Sequence, residues 1–436
     1  LRIVLVSTYE LGHQPFGLAS PKAWLVRAGH DVSTVDLSKT PLSENLIRQA
    51  DAIAFSLPMH TATRLAIPVI ERVKRIHPNV RIACYGLYAP LNAELLRGMG
   101  VEAILGGEFE HALVEWAAGE PVLDISLEKL TFVTPDRSDA ASSYAQLRTG
   151  SGSKLVAYTE ASRGCKHLCR HCPVVPVYRG QFRVVQRDVV LQDIRQQIAQ
   201  GASHVTFGDP DFLNGPAHAM RIVEALHAEF PHVTYDATIK IEHLLKHRDV
   251  LRTLKDTGCL FVTTAVESLD DVVLAKLEKN HSRHDFFEAV SLARDAGLAL
   301  QPTFLAFTPW TTLENYRDLL RVLKDLDLVE SVPSVQLALR LLITSNSRLL
   351  ELDDIRAIAG PFDRKLLVHP WKHPDERVDT LGARVFRLVD RLQKQSRNRT
   401  EIFAAIWEEA GDEPLPENFN LMPRAVVPYL DEPWYC

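Results

Sequence analysis

Ala161-Ser162-Arg163-Gly164-Cys165-Lys166-His167-Leu168-Cys169-Arg170-His171-Cys172-Pro173 sets three thiols at the spacing Cys-x3-Cys-x2-Cys. Three thiolates on so short a loop can hold three irons of a cubane iron–sulfur cluster and leave the fourth iron without a protein ligand. An open coordination position is what metal catalysis needs, because a substrate or cosubstrate can bind there. The alternative is a structural zinc site that uses Cys165, Cys169, Cys172 and either His167 or His171. Such sites usually pair two clips across a longer spacer, and the sequence offers no second clip. Disulfides fit less well. Only six cysteines occur in 436 residues, and Cys84, Cys259 and Cys436 are isolated, a usage that suits a reducing compartment.

A strand-like run, Leu155–Thr159, leads into this loop and opens a strand–helix series that extends to about residue 342. The further strands expected are His204–Phe207, Val233–Thr238, Phe261–Ala265, Ala299–Phe304 and Val335–Leu341. Between them lie helices such as 188–200, with Val190, Leu191, Ile194 and Ile198 on one face and Gly201 as the stop, and 286–296, ended by Gly297. Six units are too few to close an eight-stranded barrel. The expected fold is a partial (β/α)6 TIM barrel, with chemistry at the carboxyl ends of its strands, where the cysteine loop begins.

Upstream, residues 1–118 also alternate, with strands at 3–7, 31–36, 52–56, 80–85 and 103–105 and helices at 20–28 and 63–76. This pattern predicts an α/β, doubly wound (Rossmann-like) domain with a parallel sheet. Ligands of such sheets bind beyond the carboxyl ends of the strands, here the loops 8–18, 57–61, 86–92 and 106–110. Residues 119–153 lose the periodicity and read as a linker, leaving 154–375 for the barrel. A helical C-terminal extension is expected over 376–436, with Val385, Phe386, Val389 and Leu392 in one stripe and Ile402, Phe403, Ile406 and Trp407 in another. Stripes of this kind are more often core packing than a cofactor site.

The composition is that of an ordinary globular protein, 46% hydrophobic and 24% charged. No run of 18 apolar residues predicts a membrane span. A net charge of −6 argues against a nucleic-acid partner. The opening strand-like run Arg2–Ser7 does not read as a signal peptide, and a cytoplasmic protein is expected.

The cysteine loop resembles that of the radical S-adenosylmethionine (SAM) superfamily. The resemblance implies a [4Fe-4S] cluster on Cys165, Cys169 and Cys172. Its open iron would chelate the amino and carboxylate groups of SAM, and an electron from a donor such as flavodoxin or ferredoxin would cleave a carbon–sulfur bond. His171 holds the usually aromatic position that packs near the adenine, unless it is only an exposed loop histidine. Phe207-Gly208-Asp209-Pro210-Asp211-Phe212 stands where the family carries a Gly-Gly-Glu-like segment. Gly208 would allow close backbone approach, and Asp209 or Asp211 would accept the SAM ammonium. Asp211 or Asn214 could equally cap the helix that starts near Pro216. Lys240 and Glu242 fall where relatives bind the SAM carboxylate and ribose, although Glu242 also suits a helix start. Ala265-Val266-Glu267-Ser268 is similar to the family's Gly-x-Glu-Ser turn, with Glu267 and Ser268 in the ligand shell. The loop containing Thr308, Pro309 and Trp310 should line the substrate mouth.

The N-terminal domain is similar to the cobalamin-binding domain that precedes many radical SAM proteins. It lacks the Asp-x-His-x-x-Gly ligand motif; His13 and His60 lie in loops where a ligand could sit, and cobalamin is an open option. The ending Val427–Cys436 resembles the approach to the tail of the Cys-Cys-Ala-Glu-Pro (or selenocysteine) tail family, which is akin to the radical SAM enzymes of arsinothricin biosynthesis. That likeness implies transfer of a SAM-derived carbon group, 3-amino-3-carboxypropyl to arsenic or a methyl group, with Cys436 as a catalytic thiol suited to a soft atom. The other readings are a cobalamin-dependent methylase and a non-catalytic metal- or redox-sensing protein.

Overall fold

The computed structural model describes residues 1–139, 144–150, 152–411 and 428–431. Five parallel strands, β1 Arg2–Ser7, β2 Asp31–Asp36, β3 Ala52–Ser56, β4 Arg81–Tyr85 and β5 Ala103–Gly107, build the first sheet. A short strand, β6 Ile125–Ser126, extends it, so part of the expected linker belongs to this sheet. The order β2-β1-β3-β4-β5-β6 reverses direction at β1 and β3, where doubly wound sheets open a ligand crevice. Alternate residues of one strand feed opposite layers. Val4 and Val6 pack with Ile53, Phe55 and Ile70, while Ile3 and Leu5 pack with Leu25, Leu113 and Trp116.

The second sheet contains β7 Gln146–Thr149, β8 Gly152–Thr159, β11 His204–Phe207, β12 Thr234–Thr238, β13 Cys259–Glu267, β14 Ala299–Phe304 and β15 Tyr429–Leu430. A separate hairpin joins β9 Ser162–Gly164 to β10 Phe182–Val184. The sheet order is β14-β13-β12-β11-β8-β7-β15, parallel from β8 to β14 and antiparallel at the β7 and β15 edge. The expected helices form at Arg187–Ala199 and Arg283–Asp295, the second opened by a capping box between Ser282 and Asp285.

Three expectations about elements are corrected. Residues 335–341 do not form a sixth strand: Ser334–Leu337 is a turn of 3-10 helix, and one parallel bridge, Phe307 to Arg340, is what remains of the pairing. The loop with Thr308 and Trp310 does not line a mouth. Thr308 is buried against Thr311, and the Trp310 indole donates to Asp354 at 2.8 Å, beneath residues 341–371. In the helix Glu376–Lys394 the buried stripe is Val378, Leu381, Val385 and Val389, while Phe386, one step of about 100° off it, is exposed. The second stripe, Ile402, Phe403, Ile406 and Trp407, is buried as a unit. Cys436 lies outside the described residues.

Candidate active site

The carboxyl ends of the two sheets face one another, and the cysteine loop runs between them. Gly164, just ahead of Cys165, has φ +74°, and a Cβ there would overlap the Tyr178 ring, so only glycine fits. The loop is pegged from outside. The backbone N–H of Arg170 donates to the Leu277 carbonyl at 3.0 Å, its guanidinium pairs with Glu278 at 2.6 Å, and Arg348 donates to the Leu168 carbonyl at 2.5 Å. Asp209 fastens it from inside, accepting from the Ala161 backbone at 2.9 Å and the Ser162 hydroxyl at 2.5 Å. Burial pushes the Asp209 carboxyl up to about 7. Both its oxygens are thus occupied, and the geometry gives it an anchoring task in place of the expected contact with an ammonium.

Cys165, Cys169 and Cys172 are free thiols, the first two buried. Burial raises the thiol of Cys172 to about 12 and that of Cys165 above its usual value. Two buried ammonium groups offset the charge that deprotonation would create. Lys240 Nζ lies 3.9 Å from Cys169 Sγ, and Lys279 pairs with Glu267 at 3.2 Å. Burial would lower Lys279, but Glu267 and the thiols of Cys169 and Cys172 hold it above the ordinary lysine range. Three convergent thiols with nearby cations and, among the described residues, no further cysteine beside them suit a cubane with one open iron. Cys84, in β4, shares an apolar cluster with Cys165, and Cys259, in β13, sits in the core of the second sheet.

Glu267 stands at a bulge in β13 with φ +68°. Burial would raise its carboxyl, but Lys279 and His171 outweigh that and hold it well below the usual range. His171 Nε2 lies 3.1 Å from Glu267, so this residue is built into the site rather than left on an exposed loop. The Ser268 hydroxyl accepts from the Asp270 backbone at 3.1 Å. Gly208 is obligatory, because a Cβ would overlap the Tyr158 hydroxyl.

Asp211 makes no side-chain cap; its backbone carbonyl accepts from Asn214. Its carboxylate lies 2.6 Å from His243 Nδ1 and 3.6 Å from His167 Nε2. Burial would raise it, and the two imidazoles hold it down at about 2. Glu242, half-buried, lies 3.5 Å from His167 Nδ1 and 4.0 Å from Lys240 Nζ. His243 and Lys279 were not expected from the sequence. No local pattern marks Lys279, whereas Glu242 beside Lys240 is visible in the sequence as a ribose contact or a helix start, with nothing there to single out His243.

Between the sheets lies a cavity of about 240 Å³. Its N-terminal wall is Glu10, His13, Phe16, Ser56, Gly86 and Phe109, from the loops after β1, β3, β4 and β5. Its other wall is Tyr158, Glu160, Ser162, Arg163, Gly208 and Tyr178. His13 lines this space. His60 does not; its ring lies 2.8 Å from the Leu366 carbonyl.

A doubly wound domain facing the rim of a partial barrel, with a three-thiolate loop between them, defines a two-module metallocofactor protein. Residues 159–326 match the radical SAM superfamily, and residues 2–117 match the B12 binding domain. The chain thus carries a radical SAM domain over residues 159–326 and, ahead of it, a B12-binding domain over residues 2–117. It is 26% identical over 326 residues to the hopanoid C-3 methylase of Methylococcus capsulatus, covering 68% of this chain and 62% of the methylase. It therefore spans about three fifths of that relative's length. The cobalamin-dependent SAM radical enzyme OxsB shares the fold with a TM-score of 0.69 at 14% identity, over 89% of this chain and 67% of OxsB. The radical SAM methyltransferase TsrM from Kitasatospora setae gives 0.60 at 13% identity, over 75% of this chain and 73% of TsrM. The cofactors are accordingly a [4Fe-4S] cluster, SAM and cobalamin. No helix among the described residues is long and apolar enough to cross a membrane.

Proposed function

We propose that the protein is a cobalamin-dependent radical SAM methyltransferase acting on a small molecule, supplied with electrons by a flavodoxin- or ferredoxin-like donor. The observation that carries this reading is the cavity with the B12-type loops on one wall and, on the other, the residues that lead into and out of the cysteine loop, Ser162 to Gly164, Val174 and Tyr178. The reading placed first from the sequence, transfer of a SAM-derived carbon group such as aminocarboxypropyl to arsenic, leaned on Cys436 and has less support than the cobalamin-dependent methylase given as its alternative. When bound, the cluster supplies the electron that cleaves SAM, and cobalamin supplies a carrier for the methyl group.

The chain's own residues provide placement and charge. In this reading Cys165, Cys169 and Cys172 hold three irons. Lys240, buried and within reach of Cys169, offers a cation to the SAM carboxylate. Glu267 and Ser268 stay in the ligand shell, with His171 held by Glu267 on the adenine side. Gly208 keeps the backbone low so that Tyr158 can close the cavity. Asp209 holds the loop rather than the cosubstrate.

Anaerobic reconstitution followed by reduction with SAM tests the proposal. Expected are bound cobalamin, S-adenosylhomocysteine, which is what remains of SAM after methyl donation, and 5′-deoxyadenosine. Methylthioadenosine in their place would move the assignment to aminocarboxypropyl transfer. Failure to retain cobalamin would remove the methylase reading, and zinc on the three cysteines with no SAM product would remove the enzymatic one.

A further inference from the structure

His167, Asp211, Glu242 and His243 converge beside the cysteine loop, and the cluster they flank does not require them. One donor atom from each of His167, Glu242 and His243 lies within 4.8 Å of the others. His243 is fully buried, as is Asp211, and His167 is nearly so. Five side-chain atoms here have no hydrogen-bond partner: His167 Nε2, Asp211 Oδ2, Glu242 Oε2 and both ring nitrogens of His243. Even the 2.6 Å approach of His243 Nδ1 to Asp211 Oδ2 lacks hydrogen-bond alignment. Buried polar atoms are nearly always satisfied, so a cluster of orphans in one place points to an occupant.

We infer that these residues form a mononuclear divalent-metal site, separate from the cubane, with zinc as the ion the donors suit best. The ligands are His167, His243 and Glu242. Two imidazoles and a carboxylate, with a water in the fourth position, are a donor set that zinc accepts in tetrahedral geometry. Asp211 sits behind both rings, close to His243 Nδ1 and His167 Nε2, which leaves His243 Nε2 and His167 Nδ1 as the metal-facing atoms. A carboxylate behind a ligating imidazole fixes its tautomer and raises its basicity. Glu242 and Asp211 supply the two negative charges that face the dication, and the Lys240 ammonium, 4.0 Å from Glu242, is left to the thiolate of Cys169. Cys165 also lies within reach of His167 and Asp211, but its thiolate belongs to the cluster. The ion would tie the middle of the cysteine loop, at His167, to the helix Ile241–Lys246 that follows β12, at Glu242 and His243. It would thereby set the position of the loop before any cubane is built.

The test uses full-length, anaerobically reconstituted protein offered Zn2+ or Co2+. The expected result is about one zinc per chain beyond the cluster iron. His243→Ala and Glu242→Gln should each weaken zinc binding at least about 100-fold. Glu242 is half-buried, so its variant stays informative if His243→Ala fails to fold, and circular dichroism checks both. Co2+ in the site should give visible d–d bands without the intense near-ultraviolet band of thiolate-to-cobalt charge transfer. Three outcomes overturn the inference: no zinc in folded wild-type protein, zinc affinity unchanged in both variants, or a thiolate charge-transfer band that places the metal on the cysteines. None depends on whether the protein methylates anything.

Discussion

Glu10 shows how one side chain links this site to pH. Its carboxylate accepts from the Phe16 backbone at 3.1 Å and lies near Ser7 and Ser56, on the cavity wall. Burial, with Glu160 and Asp36 nearby, pushes it from 4.5 to about 8. A carboxyl whose folded value is raised binds more protons in the native state than in the unfolded one between those two values. Stability therefore falls as pH rises through that window and levels off above it. Glu10→Gln removes the titration and keeps the shape. Its melting temperature should match wild type near pH 5 and exceed it by several degrees near pH 8. Parallel melting profiles across that range would show that Glu10 is not a buried acid. The same side chain illustrates what sequence hides. The three cysteines were legible because their chemistry is local, with all ligands inside eight residues. Glu10 lay in a loop already expected to face a ligand, yet its protonation depends on Glu160, 150 positions away.

At the scale of the element, the edge of the second sheet is decided by Gln336. Val335, Leu337, Leu339 and Leu341 alternate with Gln336, Ala338 and Arg340, a period-2 pattern that reads as a strand. The pattern misleads because both faces are covered: Val335, Gln336, Leu337 and Ala338 are all buried. The chain coils after Pro333, and the Gln336 side-chain carbonyl accepts from the Phe304 backbone at 3.2 Å, where a sixth strand would have paired. Gln336→Leu should leave that N–H buried and unsatisfied, at a cost of about 1–3 kcal/mol. Urea unfolding with an unchanged m-value and a lowered midpoint would show it; an unchanged midpoint would mean the edge has another cap. The five strands from β8 to β14 were readable for the converse reason, since each carries its own apolar run and turn signals. The β7 and β15 edge was not, because β15 pairs with a strand some 280 positions earlier, and two residues are too short to leave a periodic trace.

The whole molecule is joined through Arg163. It leaves β9 of the barrel side and meets Glu110 of the first domain in a bidentate pair at 2.6 and 2.8 Å, with Glu108 at 3.5 Å and Glu160 at 2.7 Å. Phe16, Phe109 and Phe132 surround its guanidinium, so the cluster is shielded from water. Burial would raise the Glu110 carboxyl, and Arg163 holds it below the usual range; in Glu108 burial wins and pushes the group up to about 7. Removing the cation by Arg163→Ala leaves three carboxyls facing one another across the domain junction, a loss of about 3–5 kcal/mol for a broken buried pair. Because Arg163 is two residues from Cys165, the cysteine loop should loosen with the junction. The expected signs are faster tryptic cleavage within residues 119–153 and a lower yield of reconstituted cluster. The orphaned carboxyls would have raised folded-state values, so their penalty is present at high pH and fades as acid protonates them. The melting-temperature gap to wild type should therefore narrow from pH 8 to pH 5. Arg163→Lys should recover part of it, because a point charge cannot span both Glu110 oxygens. A gap that ignores pH, with unchanged proteolysis, would mean that the two modules are held together by their apolar contacts and that Arg163 only fills space between them.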